Sequence, residues 1–395
     1  MAMPAGEAAA QILDAIPPLQ PIELPLAEAY GCVVAADVTT EYDIPQFSAA
    51  EVDGFAARAA DIVAAAPASP ASLRLVGRSW RGRPPEVTVG WGEAVRIMAG
   101  APMPAGADCV VPSDRATAQD ETVAVSVPVA AGSNVSAAGE DVKAGSTLVP
   151  AGRRLSAAEL GLLATAGYGS VPAFPRLRIG VLAVGDLVEP GRPSGFGQVR
   201  DAVSYLLLGA VRDVGAMPYR IGIVRDADAR EAVVSNTLRV DAFVAAGSPG
   251  GGLGSLGGVG EVRTIDVSVH PGSQVAFGNV EGRPFFWVSD KPLGAFVSFE
   301  LFVRPGLLRM MGRADLKRPE VTAVLDEPVH GPSGVALFVP ARMAHRDGAW
   351  HVRPTGPAEE GHLGSLAQAN ALLAVPPGGA SGGDVRVRVL RPLER

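Results

Sequence analysis

Cysteine, histidine and lysine are scarce in this chain of 395 residues. The two cysteines, Cys32 and Cys109, do not form a C-x-x-C motif, so we expect two buried thiols rather than a disulfide. The five histidines show no metal-binding spacing, so no zinc site is expected. Only Lys143, Lys291 and Lys317 are lysines among the 34 basic residues, so arginine supplies nearly all of the positive charge.

The chain also lacks a basic stripe and a long apolar run. Its formal net charge is −7, which gives nucleic-acid binding little support. No segment approaches the roughly 18 apolar residues that a membrane helix needs, so we expect no direct insertion into a membrane. Residues 1–10 lack the basic and apolar parts of a signal peptide. We therefore expect a cytoplasmic protein.

The segment 173–312 has the pattern of a doubly wound α/β domain. It opens with an apolar, β-branched run that ends at Gly185 and Asp186, which is typical of a buried parallel strand. Helices and strands then alternate. We predict helices at 202–215, 229–238 and 293–311, and strands at 219–224, 241–246, 262–269 and 284–288. In such a sheet, ligands bind beyond the carboxyl ends of the strands.

The flanking segments predict three further parts. Residues 43–137 contain short β-type pieces between Gly and Pro clusters, which indicates an inserted β domain. Residues 1–42 and 138–172 each hold a short helix, and Ser156 and Glu159 form a capping box for the second. Neither helix can bury its apolar face alone, so we expect the two to pack together in a linking domain. Residues 313–395 predict a small C-terminal β-barrel or sandwich.

Glycine and acidic residues mark the candidate loops. The segment 247–260 holds a formal G-x-G-x-x-G motif, but a strand is predicted after it, so we interpret it as a flexible or remodelled loop. A single acid at a turn is usually a cap, whereas several at the carboxyl edge of a sheet could hold a hard cation such as Mg²⁺. The acids at turns or strand ends are Asp43, Asp53, Asp108, Glu140, Asp141, Asp186, Asp201 and Asp226.

Five motifs in order resemble the MoeA family, the molybdopterin molybdenumtransferases, and the E domain of gephyrin. They span nearly the whole chain, although each is short. The motifs are D-I-P-Q-F with D-G-F-A (43–47 and 53–56), I-M-A-G-A with P-A-G-A-D-C-V-V (97–101 and 104–111), G-E-D-V (139–142), F-E-L-F-V-R-P (299–305) and G-H-L-G-S-L with A-N (361–366 and 369–370).

This resemblance implies an elongated, four-part subunit and a homodimer whose active-site cleft uses residues of both chains. It implies that molybdate is inserted into adenylated molybdopterin with Mg²⁺, releasing AMP. By their motif positions, Asp53, Asp141 and Asp186 are expected to be catalytic, and Asp186 and Asp201 to bind the metal. Substrate binding is expected from Asp201, Asp226, Gly247, His270, Ser273, Lys291 and Pro292.

The ligand-facing loops depart from the family pattern. The family's S-T-G-D-E-L lacks its Glu here, D-S-N reads D-A-V (201–203), and G-G-V-S-V-G reads G-S-P-G-G-G (247–252) with Ser255 in place of a following Asp. K-P-G-K-P reads H-P-G-S-Q (270–274), and P-G-N-P reads S-D-K-P (289–292).

These changes weaken anion binding, because the substrates are an oxyanion and a phosphorylated pterin. Each lost charged hydrogen bond is worth about 1.5–3 kcal/mol, so three would cost roughly 5–9 kcal/mol if independent. His270, Lys291 and Arg283 are expected to compensate only in part. Three hypotheses follow. The first is a molybdenum insertase of weakened or lost activity, and the second is a non-catalytic, gephyrin-like dimeric scaffold that binds a short peptide of a protein partner. The third is an altered reaction on a related pterin or nucleotide.

Overall fold

The computed structural model describes residues 2–248 and 251–391. The chain forms two compact units. The first contains Met1–Ala35, Gly152–Leu155 and Pro172–Arg395, and the second contains Ala36–Ala151 and Ser156–Val171. The domain boundaries expected from the sequence stay predictions.

The first unit is built on a six-stranded sheet. The first four strands in spatial order run parallel. The fifth strand pairs antiparallel with the fourth, and the sixth pairs antiparallel with the fifth. The spatial order is Met217–Val224, Arg178–Val184, Ala242–Ala246, Arg283–Val288, Gln274–Val280 and Gly260–Asp266. A two-stranded ribbon, Leu187–Val188 with Val199–Arg200, follows the Arg178–Val184 strand.

Helices cover both faces of this sheet, as the residues buried on its two sides show. The doubly wound α/β core predicted from the sequence is confirmed. The α-helices of the first unit are Ala5–Asp14, Val203–Val214, Ala229–Val234, Pro292–Ser298, Arg304–Met310 and Leu363–Gln368. A π-helical turn spans Phe299–Val303. The 3₁₀ turns of this unit are Leu26–Glu28, Asp226–Asp228, Thr237–Arg239 and Gly252–Leu256.

Four details of the core differ from the sequence-based prediction. The helix predicted at 229–238 ends at Val234, and a separate 3₁₀ turn, Thr237–Arg239, follows it. The strand Gln274–Val280 was not predicted, because an interior glycine and a preceding Pro-Gly turn hide its alternation. The strand predicted at 262–269 ends at Asp266, and Val269–His270 pairs instead with a strand of the C-terminal barrel. The helix predicted at 293–311 is interrupted by the π-helical turn Phe299–Val303.

The N-terminal helix Ala5–Asp14 buries Ala8 and Ile12 in the large core of the α/β domain, together with Ile16 just beyond it. It packs against the helical segment that ends at Met310. The nearby short strands Ile22–Pro25 and Val33–Val34 belong to a three-stranded sheet with Ser170–Phe174. The predicted packing of this helix with the second short helix stays a prediction.

The C-terminal segment is a closed five-stranded barrel, which confirms the first of the two predicted architectures. It closes because Ala371–Val375 pairs with both Gly383–Val389 and Ala336–Arg346. Its strands in spatial order are Ala336–Arg346, Ala349–Pro354, Glu320–Leu325, Gly383–Val389 and Ala371–Val375.

The second unit contains a six-stranded sheet with its own apolar core. The capping box predicted at Ser156 and Glu159 is confirmed at the start of the helix Ala157–Thr165. The strands in spatial order are Cys109–Pro112, Gly54–Ala57, Glu93–Ile97, Ala71–Ser79, Thr122–Val125 and Ala116–Gln119; shorter pairs are Val38–Thr39 with Thr147–Val149 and Ala49–Ala50 with Val135–Ser136, and 3₁₀ turns span Ala59–Asp61 and Ser113–Arg115.

Both cysteines are free and buried, as the sequence predicted. Burial raises the pKa of the Cys109 thiol to about 12. Within residues 2–248 and 251–391, no helix is long and apolar enough to span a membrane.

Candidate active site

The predicted site residues of the first unit gather at one edge of its sheet. Four parallel strands end there, at Val184, Val224, Ala246 and Val288, and the loop after each begins at the same edge. The loops are tied to the neighbouring strands by backbone hydrogen bonds, because Gly185 N–H donates to the Val224 carbonyl at 2.9 Å and Gly247 N–H donates to the Val288 carbonyl at 3.1 Å. This edge is the candidate active site.

Asp186 and Asp226 both present exposed side chains at this edge. Among the described residues, none donates a hydrogen bond to the Asp186 carboxylate. The Asp226 carboxylate lies against the glycine loop, since a Cβ added to Gly251 would come within 2.7 Å of its Oδ1. Residues 249 and 250 of the predicted G-S-P-G-G-G loop lie outside the described residues.

Gly247 is buried between two strands, and a side chain cannot fit there. An added Cβ would lie 2.5 Å from Cζ2 of Trp287 and 3.2 Å from the Val184 carbonyl oxygen. The Trp287 indole donates to the Gly247 carbonyl at 3.1 Å. The sequence predicted substrate binding for this glycine. The structure also gives it a packing role, because the loop can leave the sheet here only without a side chain.

The segment that contains His270 and Ser273 connects two strand ends at the same edge. His270 is half-buried, and Ser273 is exposed. The intervening Gly272 has a φ of +88° and packs against the helix Pro292–Ser298, since an added Cβ would lie 2.8 Å from the Ser298 hydroxyl. That hydroxyl is buried and has no hydrogen-bond partner within the part of the chain that the structure describes.

Lys291 and Pro292 begin the helix Pro292–Ser298, with Pro292 at a first-turn position that its missing N–H tolerates. The Lys291 N–H donates to the Ser289 hydroxyl at 3.0 Å, and the Lys291 side chain is exposed. Arg283, by contrast, begins the strand that ends at Val288. Five residue steps of about 3.3 Å separate it from this edge, so it is too distant to replace a lost lysine.

Asp201 lies at the start of the helix Val203–Val214 and is buried, with 2% of its surface exposed. Its Oδ1 accepts the Ser204 N–H at 3.0 Å, and its Oδ2 accepts the Ser204 hydroxyl and the Arg220 Nη2, the latter at 3.4 Å. Both carboxylate oxygens therefore have internal donors. A metal-binding role for Asp201 stays a prediction, and it would require these bonds to be replaced.

Sequence reasoning missed the residues around Asp201. Arg220 Nη2 also bonds Glu189 Oε2 at 2.8 Å, and its guanidinium lies 4.9 Å from the centre of the Tyr205 ring. The Tyr205 hydroxyl donates to Glu189 at 3.0 Å. The hydrogen bond from Arg220 lowers the pKa of Glu189, and the bond to Glu189 raises the pKa of Tyr205. Arg220 lies in the middle of the strand Met217–Val224 and belongs to no recognisable motif, so the sequence did not reveal this network.

The second unit holds the other two predicted catalytic acids. Asp53 is exposed, and its Oδ1 accepts the Ala99 N–H at 2.7 Å. It lines a cavity of about 390 Å³. Asp141 is also exposed, and its N–H donates to the Ile44 carbonyl at 3.0 Å. Two other predicted acids serve as turn caps: Asp43 accepts the Ala144 N–H, and Asp108 accepts the Ala59 N–H.

Comparison with known proteins covers both units. Residues 3–167 match the MoeA N-terminal region (domain I and II), and residues 322–390 match the MoeA C-terminal region (domain IV). A molybdopterin molybdenumtransferase 2 of Mycobacterium tuberculosis is 34% identical over 371 residues, covering 90% of this chain and 91% of that protein. This chain belongs to the MoeA family.

Other members of the MoeA family agree with this assignment. The molybdopterin molybdenumtransferase of Bacillus subtilis is 30% identical over 374 residues, covering 91% of this chain and 87% of its own. The crystal structure of a MoeA molybdopterin biosynthesis protein from Pyrococcus horikoshii superimposes with a TM-score of 0.81 at 26% identity. The match covers 99% of this chain and all of that one.

The donor set at this edge would allow only a few protein ligands to a magnesium ion, if one binds as the resemblance implies. Among the residues that the structure describes, no group of three or more His, Cys, Asp or Glu side chains could enclose a metal ion. Mg²⁺ commonly takes one or two carboxylates and completes its shell with water and substrate phosphates. The exposed Asp186 fits that role, whereas the carboxylate of Asp201 is already engaged.

Proposed function

We propose that this protein acts in molybdenum cofactor biosynthesis by inserting molybdate into adenylated molybdopterin, with release of AMP. The main support is the gathering of four loops at one sheet edge in a chain that is 34% identical to a molybdopterin molybdenumtransferase over 90% of its length. The cytoplasmic location stays a prediction, in keeping with two reduced, buried thiols.

Three segments at this edge have a chemical task in this proposal. The ammonium group of Lys291 attracts the substrate phosphate or the oxyanion, and the hydroxyls of Ser273 and Ser289 offer hydrogen bonds. Asp186 would hold Mg²⁺, which supplies positive charge against the phosphates. His270 adds a titratable donor. The two lysines of the family motif K-P-G-K-P are missing here, and Lys291 is the lysine that this edge retains. We therefore expect the edge to bind anions weakly and the reaction to be slow.

We also propose a homodimer, as the resemblance implied, in which the exposed Asp53 and Asp141 of the second unit act in catalysis. Their exposure leaves them open to a ligand. The proposal predicts that Asp53→Asn lowers the insertion rate without altering stability, because the Asn side-chain oxygen can still accept the hydrogen bond that Asp53 Oδ1 accepts from the Ala99 N–H. Sedimentation would determine the oligomeric state.

The alternative function is a dimeric scaffold that binds a short peptide of a protein partner. An apolar groove of about 530 Å³ in the first unit favours it. The groove is lined by Leu206, Phe296, Leu363 and Leu366, with Arg318 and Arg391 among its polar residues. A peptide would bind there without any dependence on Mg²⁺ or molybdate.

Calorimetric titration with adenylated molybdopterin, followed by molybdate, tests the proposal directly. We expect Mg²⁺-dependent binding that weakens at least about tenfold in Lys291→Gln, because one charged hydrogen bond is lost. Lys317→Gln is the matched control, since it removes an exposed lysine from the segment that precedes the barrel. Asp186→Asn should remove the Mg²⁺ dependence. If the folded protein binds neither ligand, the insertase proposal is wrong and the scaffold becomes the better account.

A further inference from the structure

Two arginines stand side by side on the inserted β domain. Arg78 and Arg96 are register partners on the parallel strands Ala71–Ser79 and Glu93–Ile97, and both side chains are exposed. The next residue on each chain, Ser79 and Ile97, is buried, as strand alternation requires.

The alternation of exposed and buried side chains continues for one residue beyond each of the two strands. Trp80 and Met98 are again exposed, at 43% each, and so share the face of the two arginines. We call Arg78, Trp80, Arg96 and Met98 the platform. It presents two guanidinium groups next to an indole and a thioether.

The charges of the platform are uncompensated. Like charges directly opposite each other on neighbouring strands destabilise a sheet. The other arginine of the strand Ala71–Ser79, Arg74, is paired with Glu93. Among the described residues, by contrast, no carboxylate forms an ion pair with Arg78 or Arg96. A protein of net charge −7 has acids available for such pairing, so the unpaired arginines favour an external anion.

The platform borders the cavity of about 390 Å³ that Asp53 lines. This volume lies within the usual range for small-molecule pockets. Ser113 fixes the position of Asp53, because its N–H and its hydroxyl both donate to the Asp53 carbonyl at 3.1 Å. The Asp53 carboxylate is left exposed and can accept a hydrogen bond from an amino group.

We propose that the platform and Asp53 bind a planar, amino-substituted heteroaromatic ring that carries a phosphate. The ring stacks on Trp80, and the phosphate is bound by Arg78 and Arg96. Asp53 accepts a hydrogen bond from the ring amino group. The inference deepens the proposed function and rests on it, since adenylated molybdopterin offers this chemistry twice, in its adenylate and in its phosphorylated pterin.

The test titrates the full-length protein with AMP and, separately, with molybdopterin that is not adenylated. Calorimetry and tryptophan fluorescence report binding. We expect Arg78→Gln, Arg96→Gln and Trp80→Leu each to weaken binding at least about tenfold. Arg96→Lys should recover part of the loss. A loss for AMP alone assigns the platform to the adenylate, and a loss for molybdopterin alone assigns it to the pterin.

Two control variants separate a site from general effects. Arg74→Gln removes the same charge from the same strand about 13 Å away, where Glu93 already neutralises it. Trp91→Leu removes a tryptophan that is 82% exposed and outside the cavity. Both should bind AMP and molybdopterin as the wild type does. If Arg74→Gln weakens binding as much as Arg96→Gln does, the arginines act only through non-specific charge attraction and the proposal is overturned.

The outcomes also distinguish this proposal from the proposed function. If the protein inserts no molybdate but binds AMP in a manner that depends on Arg96, the platform stands and the insertase proposal fails. If it inserts molybdate while Arg78→Gln and Arg96→Gln bind both probes normally, the platform fails alone. If the wild type binds neither AMP nor molybdopterin, the platform proposal is also overturned.

Discussion

Removing the charge of Glu300 should destabilise the first unit strongly. Glu300 is 5% exposed and accepts two hydrogen bonds from Arg318, Nη2 to Oε1 at 2.8 Å and Nε to Oε2 at 2.9 Å. Arg304 Nε lies 3.9 Å from the same carboxylate. Arg318 also donates to the Leu390 carbonyl at 3.1 Å, which links the helical segment to the end of the last barrel strand.

The size of the effect follows from the charges that remain. Glu300→Gln keeps the shape of the side chain but removes the nearest counter-charge of two poorly exposed guanidinium groups, Arg304 and Arg318. Burial already lowers the pKa of Arg304, and the bond to Glu300 raises that of Arg318. Breaking a buried ion pair from one side typically costs about 3–5 kcal/mol. We expect a loss of that order in the free energy of unfolding.

Urea unfolding followed by circular dichroism measures this loss. The matched control is Glu320→Gln, which removes an acid from a more exposed pair in which Arg388 Nε lies 3.4 Å from the carboxylate. Exposed pairs contribute about 0–1 kcal/mol, so the control should change little. A cost for Glu300→Gln no larger than that of the control would refute the argument that this network depends on buried charge.

Other predictions are independent of this network. Gly247→Ala should lower the free energy of unfolding by about 1–3 kcal/mol, because the added Cβ would lie 2.5 Å from the buried Trp287 indole. Gly209→Ala, on a helix with open space around it, should raise the free energy of unfolding by about 0.4–1 kcal/mol. Thermal unfolding measures both changes. A hydrogen bond from His351 lowers the pKa of Asp326, so its stabilisation is present above about pH 3.9 and is lost as the pH falls through the lowered pKa. Asp326→Asn should therefore flatten the acid side of a stability–pH curve. The Cys109 thiol, with a pKa of about 12, should react with a thiol-specific dye at pH 8 only after unfolding; rapid labelling of the native protein would contradict its burial.

The sequence predicted the architecture because hydrophobic periodicity survives in the core. The strand Arg178–Val184 is apolar after its first residue and Ala242–Ala246 is apolar throughout, since both faces of these strands are covered by helices. Hydrophobic periodicity failed to predict a strand where two backbones approach closely and the side chains are small. The strand Gln274–Val280 carries Gly278, whose Cβ would lie 1.8 Å from the Glu261 carbonyl oxygen, so tertiary approach rather than local pattern fixes that strand.

The candidate site was predictable only in part. The loops after Val184 and Val288 could be found because strand ends in parallel sheets meet at one edge. The engagement of Asp201 by Arg220 was not predictable, because it depends on which residue of a neighbouring strand faces the helix start. The pairing of Arg78 with Arg96 required the strand register, which sequence alone does not fix.

Two of the motifs that connect this chain to the MoeA family contain residues that stabilise the fold. In the F-E-L-F-V-R-P motif, Glu300 and Arg304 belong to the buried charge network. In the later A-N motif, the Asn370 amide accepts the Met343 N–H at 2.7 Å and donates to the Met343 carbonyl at 2.9 Å, so it continues the pairing of a strand. Substitutions there should reduce stability and ligand binding together.

Exposed residues that make no such stabilising contacts should affect ligand binding but not stability. The Asp186 carboxylate, the Lys291 ammonium and the Arg96 guanidinium contribute little to folding, because none makes a charged contact with another described residue. Their substitution should leave the unfolding curve unchanged and alter ligand binding alone. A family likeness carried by residues such as Glu300 therefore establishes the fold, while the chemistry has to be tested at Asp186, Lys291 and Arg96.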